Sequence, residues 1–204
     1  MWRYGFPEQA GAWDHEGMAV NITGDAAADA LLDSSPFALV VGMLLDQQVP
    51  METAFAGPAK LRDRLGALEP AQIAALDPDE LTAVMKQTPA VHRFPGSMAG
   101  RVQALAAAIV SDWGGDTAAI WTRDDPSGAE VLRRLRALPG FGEQKAKIFL
   151  ALLGKQKDLQ APGWREAAGD YGAEGFRSVA DIVDAASLTL VREHKRAMKA
   201  AAKG

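Results

Sequence analysis

The amino-acid sequence predicts an all-α fold, on three observations. No segment of useful length alternates apolar and polar residues as a half-buried strand does. Residues 98–115 carry an apolar stripe at helical spacing, formed by Val102, Leu105, Ala106, Ile109 and Val110. Several further segments begin with proline in their first turn, where its missing N–H costs no hydrogen bond: Pro36, Pro70 and Pro78.

The helices can be placed along the chain from their caps and breakers. Thr23 or Asp25 can cap the first helix, which ends before Pro36, and the strongly apolar second helix is expected to be buried. Glycine and proline clusters mark the segments between helices. The predicted helices are residues 25–34, 36–48, 51–66, 69–77, 77–87, 98–115, 126–138, 143–156 and 187–203, with loops at 88–97 and 161–176.

Composition excludes several classes of protein and site. The chain has 204 residues, of which 48% are apolar and 24% charged, so it can bury a sizeable core. Because cysteine is absent, disulfides, zinc–thiolate sites, a cysteine nucleophile and an iron–sulfur cluster are excluded. The longest apolar run, residues 37–45, is too short to span a bilayer, and the first residues do not resemble a signal peptide. We therefore expect a cytoplasmic protein with no membrane partner.

Charge is distributed unevenly along the sequence. Residues 1–135 contain 10 Lys and Arg against 18 Asp and Glu, a net charge of −8, whereas residues 136–204 contain 12 against 8, a net charge of +4. A basic final third on an acidic protein fits a surface that faces an anion. A solvated helical face is the alternative explanation, and charge alone does not decide between them.

The turn LPGFG at residues 138–142 is the most informative stretch. Gly140 and Gly142 permit a tight turn with close backbone approach. The helix that follows begins with N–H groups that have no intrahelical partner, and these suit a phosphate. Lys145 and Lys147 add positive charge in its first two turns. The pattern favours binding of a DNA backbone over an ordinary αα-hairpin.

Two motifs resemble the HhH-GPD superfamily of base-excision DNA glycosylases. Residues 138–149 are similar to its helix-hairpin-helix, and residues 43–50, MLLDQQVP, are similar to its LLxxQ helix end. The likeness covers roughly residues 36–165, and LLDQQVPME is similar to the motif of a small actinobacterial group in this superfamily. It implies two helical lobes with the hairpin beside a DNA-binding cleft. The implied organisation is an N-terminal extension (1–20) and one glycosylase domain (21–204), comprising a lobe (36–130), the hairpin (131–154) and closing segments (155–204).

The resemblance also implies roles for individual residues. Gln48 matches the side chain that fills the space left by a flipped base, with Gln47 beside it, and helix capping is the alternative. Trp164 is a candidate for stacking on the flipped base, or else a core residue. His92 and Arg93 are candidates for phosphate contact. Main-chain carbonyls of the hairpin would bind a monovalent cation: those of Arg136, Leu138 and Phe141.

The sequence departs from the superfamily at two positions. Gln144 stands where lyase-active relatives have a nucleophilic lysine, and Lys145 is displaced by about 100° around the helix. The catalytic aspartate is expected at residues 162–164, which are Pro, Gly and Trp. Asp170 and Asp46 are the leading alternatives for the carboxylate, and a protein without one is the third.

These matches predict a monomeric, monofunctional DNA N-glycosylase that acts on duplex DNA carrying a base lesion. The resemblance implies that it hydrolyses the glycosidic bond with water and requires no cofactor. It is expected to associate with the nucleoid when bound to DNA. The rival prediction is a non-catalytic helix-hairpin-helix DNA-binding protein, and a helical protein-interaction module is a third.

Overall fold

The computed structural model describes residues 20–201, and every regular element in that range is helical. The all-α prediction is therefore confirmed. The proposed N-terminal extension lies, apart from Val20, outside the described residues. The α-helices are α1 (Ala26–Ser34), α2 (Pro36–Leu45), α3 (Met51–Phe55), α4 (Gly57–Leu65), α5 (Pro70–Ala75), α6 (Pro78–Lys86), α7 (Pro95–Trp113), α8 (Ala119–Thr122), α9 (Gly128–Ala137), α10 (Glu143–Gln156), α11 (Trp164–Ala168) and α12 (Ala185–Ala201), with 3₁₀ turns at Gly169–Gly172 and Val179–Asp181.

Local signals locate many helix ends correctly. Asp25 caps α1 by accepting hydrogen bonds from the backbone N–H groups of Ala27 and Ala28. Ser35 caps α2 in the same way through the N–H of Ala38. The helix α10 occupies the predicted residues 143–156, with Gly142 as its N-cap.

Several predictions about elements are wrong, among them the start of the helix at 98–115, since α7 begins at Pro95, inside the predicted loop at 88–97. Residues 51–66 form two helices, because Gly57 and Pro58 start a new helix there. The second helix ends at Leu45 and does not continue to residue 48. The predicted loop at 161–176 contains α11 and a 3₁₀ turn, which fold because Trp164 and Ala168 are buried in the core.

The helices form two groups that meet at the end of α2. In the first group, α2 is buried from Phe37 to Leu45 and packs on α1, α3 and α4, while α5 and α6 pack on α7. In the second, α10 packs on α9, α11 and the 3₁₀ turns. Gly140, in the turn between α9 and α10, lies against Leu44 so closely that an added Cβ would come within 2.4 Å of its Cδ1. The end of α2 and the hairpin are therefore held together.

Within residues 20–201, no single helix is long and apolar enough to cross a membrane. The pair α1 and α2 reaches that length together, but the two helices are bent by 116° relative to each other.

Candidate functional site

A cleft of about 1020 Å³ opens between the loop after α2, the start of α10 and one face of α12. The 3₁₀ turn at Gly169–Gly172 forms part of its wall. Residues singled out from the sequence line this cleft together: Asp46, Gln48, Gln144, Lys145 and Asp170. The fold thus collects side chains from the two motifs and from the segment after the hairpin at one surface.

The loop after α2 holds one glutamine inward and turns the next one outward. The side chain of Gln47 donates to Leu44 O at 2.7 Å and accepts from Arg101 at 2.8 Å. Gln48 adopts φ +57°, a left-handed conformation that L residues seldom take, and its side chain is exposed. Within residues 20–201 the Gln48 side chain has no hydrogen-bond partner. Gln47 is consequently structural, and Gln48 is free to meet a ligand.

The buried ring of His92 holds this loop through a hydrogen bond to its backbone. Its ring is 3% exposed, with Nδ1 accepting from the Phe94 N–H at 3.0 Å. Nε2 therefore carries the proton and donates to Gln47 O at 2.9 Å. His92 is buried away from any phosphate, whereas Arg93 lines the cleft.

Lys145 caps the end of α2 rather than facing solvent. Its ammonium donates to Met43 O at 2.5 Å, Leu44 O at 3.1 Å and Asp46 O at 3.4 Å. The last carbonyls of a helix lack helical partners, so a cation there satisfies them. Burial lowers the pKa of Lys145 to about 8, against the opposing effect of the Asp46 carboxylate.

Asp46 lies at the base of the cleft between two amines. Burial raises the pKa of its carboxyl, while the charges of Lys195 and Lys145 act to lower it. Burial also lowers the pKa of Lys195, whose Nζ contacts Met51 Sδ at 2.9 Å. Asp46 is thus a partly desolvated carboxylate that faces two lysines.

Gln144 and Asp170 belong to the opposite wall. The Gln144 amide donates to the Tyr171 hydroxyl at 2.8 Å, which links the first turn of α10 to the 3₁₀ turn. Asp170 precedes that tyrosine and is exposed. No amine occupies the Gln144 position, and Asp170 is the more solvated of the two candidate carboxylates.

The hairpin presents its helix N-terminus beside the cleft rather than within it. Gly140 adopts φ +82°, Phe141 packs edge-on against Phe149, and Gly142 is exposed with open space around it. Lys147 is paired with Glu143 at 2.9 Å, so its charge is already partly neutralised. The sequence reasoning did not single out Glu143, which lies in the first turn where the phosphate is expected.

Trp164 is part of the core. Its indole has 7% of its surface exposed and lies against Gly154, where an added Cβ would come within 2.4 Å of the ring. Arg165 covers the indole at 4.4 Å from the ring centroid. This position favours the core interpretation over the predicted stacking on a flipped base.

Sequence reasoning missed several residues of the cleft. Tyr171, Arg177 and Lys195 line it, and Phe94, 43% exposed, lies beside the His92 that holds the loop after α2. A signal for the α12 wall was present in the sequence, since its basic residues recur at spacings of three and four. Nothing in the sequence indicated which element that face would meet.

Comparison with known proteins agrees with this geometry. Residues 41–201 match the HhH-GPD superfamily of base excision DNA repair proteins, which is more than half of the chain. The chain belongs to this superfamily. No curated protein sequence matches it significantly. The HhH-GPD match spans the loop after α2, the hairpin and α12, which border the cleft described above, and membership of a base excision repair family implies that the protein binds DNA.

Proposed function

We propose that this HhH-GPD protein is a monofunctional DNA N-glycosylase that flips a damaged or mismatched base into the cleft and hydrolyses its glycosidic bond. The observation that carries the proposal is the grouping of Gln48, Asp46 and Gln144 at one cleft beside the hairpin. Gln48 supplies a wedge and Asp46 supplies a carboxylate. Gln144 stands where lyase-active relatives have a nucleophilic amine. The motif LLDQQVPME supports a place in the small actinobacterial group named above, and a monomer in the cytoplasm, associated with the nucleoid, remains our expectation.

Gln48 is the proposed wedge. Flipping a base costs a few kcal/mol of stacking and pairing, and a side chain that enters the vacated space recovers part of that cost. Gln48 is exposed at the cleft, and its amide has both donors and an acceptor for the orphaned partner base. The hydrogen bonds of Gln47 and His92 hold its backbone, so the wedge is pre-positioned.

Asp46 is the proposed catalytic carboxylate. Cleavage of a glycosidic bond develops positive charge on the sugar, which an anion beside it stabilises, and the effect is larger where water is excluded. Asp46 is partly buried at the base of the cleft, whereas Asp170 is exposed at its wall. Burial raises the pKa of Asp46, and the charges of Lys195 and Lys145 oppose that rise. We therefore place Asp46 before Asp170.

The proposal excludes a lyase step. Gln144 has no amine to form a Schiff base. The ammonium of Lys145 donates its protons to three carbonyls of α2 and its loop, and a protonated amine has no lone pair with which to attack a sugar carbon. Water is then the nucleophile, and the expected product is an abasic site in an intact strand. A cationic alkylated base would need the least acid–base catalysis for its departure, because it is already an activated leaving group.

The hairpin carbonyls fit the monovalent cation that the superfamily implies. Carbonyl oxygens are hard ligands of the kind such an ion takes. Leu138 O accepts from the Phe141 N–H at 3.1 Å and retains a second lone pair. Together with the carbonyls of Arg136 and Phe141 it would hold the ion, which would add positive charge next to a phosphate. No step of the proposed hydrolysis depends on it.

One observation favours a second candidate function, a DNA-binding protein without catalysis. At the positions expected for the superfamily's aspartate, this chain has Pro162, Gly163 and Trp164, and the indole of Trp164 is buried. The two functions differ in whether Asp46 replaces the missing carboxylate.

The experiment that separates them is a strand-cleavage assay on a panel of duplexes. Each duplex carries one uracil, hypoxanthine, alkylated or oxidised base and is analysed with and without hot alkali. The glycosylase predicts cleavage of at least one duplex after alkali and none before it. The non-catalytic function predicts binding to the same duplexes with no cleavage.

A further inference from the structure

The basic residues of α12 form one face of that helix, and this face lines the cleft. Arg192, Lys195, Arg196 and Lys199 are spaced as i, i+3, i+4 and i+7, which places them on one side of a helix. The buried residues of α12, Ser187 and Val191, lie on the flank of this stripe, since Val191 is one turn before Lys195. The helix therefore presents a stripe of four cations to the cleft, across from the hairpin.

The two inner cations of the stripe are already engaged. Arg192 is ion-paired with Glu52, and Lys195 faces Asp46 and Met51. Arg196 and Lys199 lie farther along the helix and are exposed. Within residues 20–201 neither has a carboxylate within ion-pair distance. The charge of Lys199 contributes to the lowered pKa of Lys195, which indicates that positive charge accumulates along this face.

The hairpin, by contrast, carries little free cationic charge. Lys147 pairs with Glu143 at 2.9 Å, and Arg136 approaches the same carboxylate at 3.6 Å. Lys145 is held by the carbonyls at the end of α2. The hairpin therefore offers backbone N–H groups but few mobile cations, whereas Arg196 and Lys199 of α12 add unpaired positive charge to the cleft, beside Arg93 and Arg177.

We propose that the outer part of α12, through Arg196 and Lys199, is a second phosphate-binding wall that supplies salt-dependent affinity for duplex DNA. The inference rests on the proposed DNA-repair function and adds the element that provides the ionic contacts. Cations that meet phosphates displace condensed counterions, so each such contact steepens the fall of affinity with salt. The hairpin N–H groups bind one backbone segment by position, and the α12 wall binds another by charge.

The test is the salt dependence of binding to an undamaged duplex by the full chain. Arg196→Gln/Lys199→Gln should weaken binding at moderate salt and make the slope of log K against log[salt] less negative by about 2, since each removed cation leaves one phosphate with its counterions. The matched control is Arg62→Gln/Lys86→Gln, which removes the same charge outside the cleft and should leave the slope unchanged. Thermal unfolding of both variants checks that a weaker affinity does not reflect a destabilised helix.

Each outcome decides the inference. An unchanged slope in the α12 variant overturns it, and the proposed function survives if Gly142→Asp, which places a carboxylate at the N-terminus of α10, lowers the affinity for duplex DNA. The inference is also overturned if the slope becomes less negative by the same amount in the control variant, because the change in net charge alone would then explain the effect. A wild-type protein without salt-dependent DNA binding overturns both proposals. If the double variant fails to fold, Lys199→Gln alone carries the test with an expected change of about 1.

Discussion

The carboxylate of Asp46 is the side chain on which the proposed chemistry depends. Asp46→Asn keeps the size of the side chain and removes the charge, so we expect turnover of a lesion duplex to fall by about 10² to 10³, with binding little changed. Asp170→Asn is the matched control and should lower turnover by less than about threefold, since Asp170 is exposed at the wall. Single-turnover rates and binding titrations separate the two effects. The assignment fails if Asp170→Asn is the inactive variant.

The pH profile provides an independent check of Asp46. Its ionised form is the active one, so activity is lost as pH falls through its pKa. Because burial raises that pKa, the acid limb of kcat/KM should lie above the ordinary aspartate value of about 3.9. Lys195→Met removes a charge that lowers the pKa, so it should move the limb to higher pH. An acid limb that does not move in Lys195→Met would show that another group titrates.

Gln48 can be tested with a pair of substitutions that differ only in backbone preference. Gln48→Ala and Gln48→Gly both remove the wedge, so both should weaken binding to lesion duplex more than to intact duplex. Glycine adopts φ +57° without the strain that a Cβ imposes. The Gln48→Gly variant should therefore be more stable than Gln48→Ala by about 1 kcal/mol. Equal losses of affinity on lesion and intact duplex would assign Gln48 to backbone contact instead.

The sequence identified the site residues that belong to recognisable motifs and missed those that depend on tertiary packing. Gln48 and Gln144 were found because each lies at a fixed offset from a motif. Lys195 was missed because nothing in the chain relates α12 to the end of α2. The capping role of Lys145 was missed for the same reason, since its partners are carbonyls about 100 residues earlier.

At the scale of elements, Lys145 ties α10 to α2. Lys145→Met leaves the carbonyls at the end of α2 without their donor, and we expect a loss of about 1–3 kcal/mol of unfolding free energy at neutral pH, measured by urea denaturation. The pKa of Lys145 is about 8 in the folded state and near 10.4 when unfolded. Between these values the unfolded state binds more protons, so the lysine's contribution to stability increases as pH rises from 8 to 10.

The methionine variant has no such group and should lack this increase. The difference in stability between the two proteins should therefore grow from pH 8 to pH 10. A difference that stays constant over this window would show that Lys145 does not titrate there.

The hairpin can be tested at Gly142, the N-cap of α10. Gly142 is exposed with open space around it, so Gly142→Asp should fold, and its carboxylate would stand where a phosphate is expected. We expect duplex affinity to fall at all sequences, measured by fluorescence anisotropy. Gly142→Ser is the matched control, because it adds a side chain without charge. Unchanged affinity in a folded Gly142→Asp variant would remove the hairpin from the interface.

Element boundaries show what local signals resolve. The N-terminal ends of α1 and α10 can be predicted from the sequence, because Asp25 and Gly142 are residue types that favour the N-cap position. The helix α11 has five residues, too few for a periodic pattern, and forms because Trp164 is buried between α10 and Gly128. The break between α3 and α4 lies at Gly57 and Pro58, a signal that the apolar pattern of residues 51–66 outweighs in the predicted continuous helix.

On the scale of the whole molecule, the all-α class followed from helical periodicity and the superfamily from two short motifs, while the electrostatics of the cleft followed from neither. The sequence indicates a basic final third. Only the fold shows that Arg196 and Lys199 of α12 bring unpaired charge to the cleft, whereas Arg136 and Lys147 of the hairpin are paired with Glu143. The charge of a segment is a property of sequence, whereas the surface that it meets is a property of packing.

The central claim is that this cleft excises a base with water. The most direct measurement is mass spectrometry of the bases released from DNA that has been alkylated, deaminated or oxidised, because it requires no prior choice of lesion. We predict release of a modified base by the wild type and by Asp170→Asn, little release by Asp46→Asn, and no protein–DNA adduct after borohydride reduction. The account is contradicted if the folded protein binds these DNAs and releases no base, or if borohydride traps it on DNA.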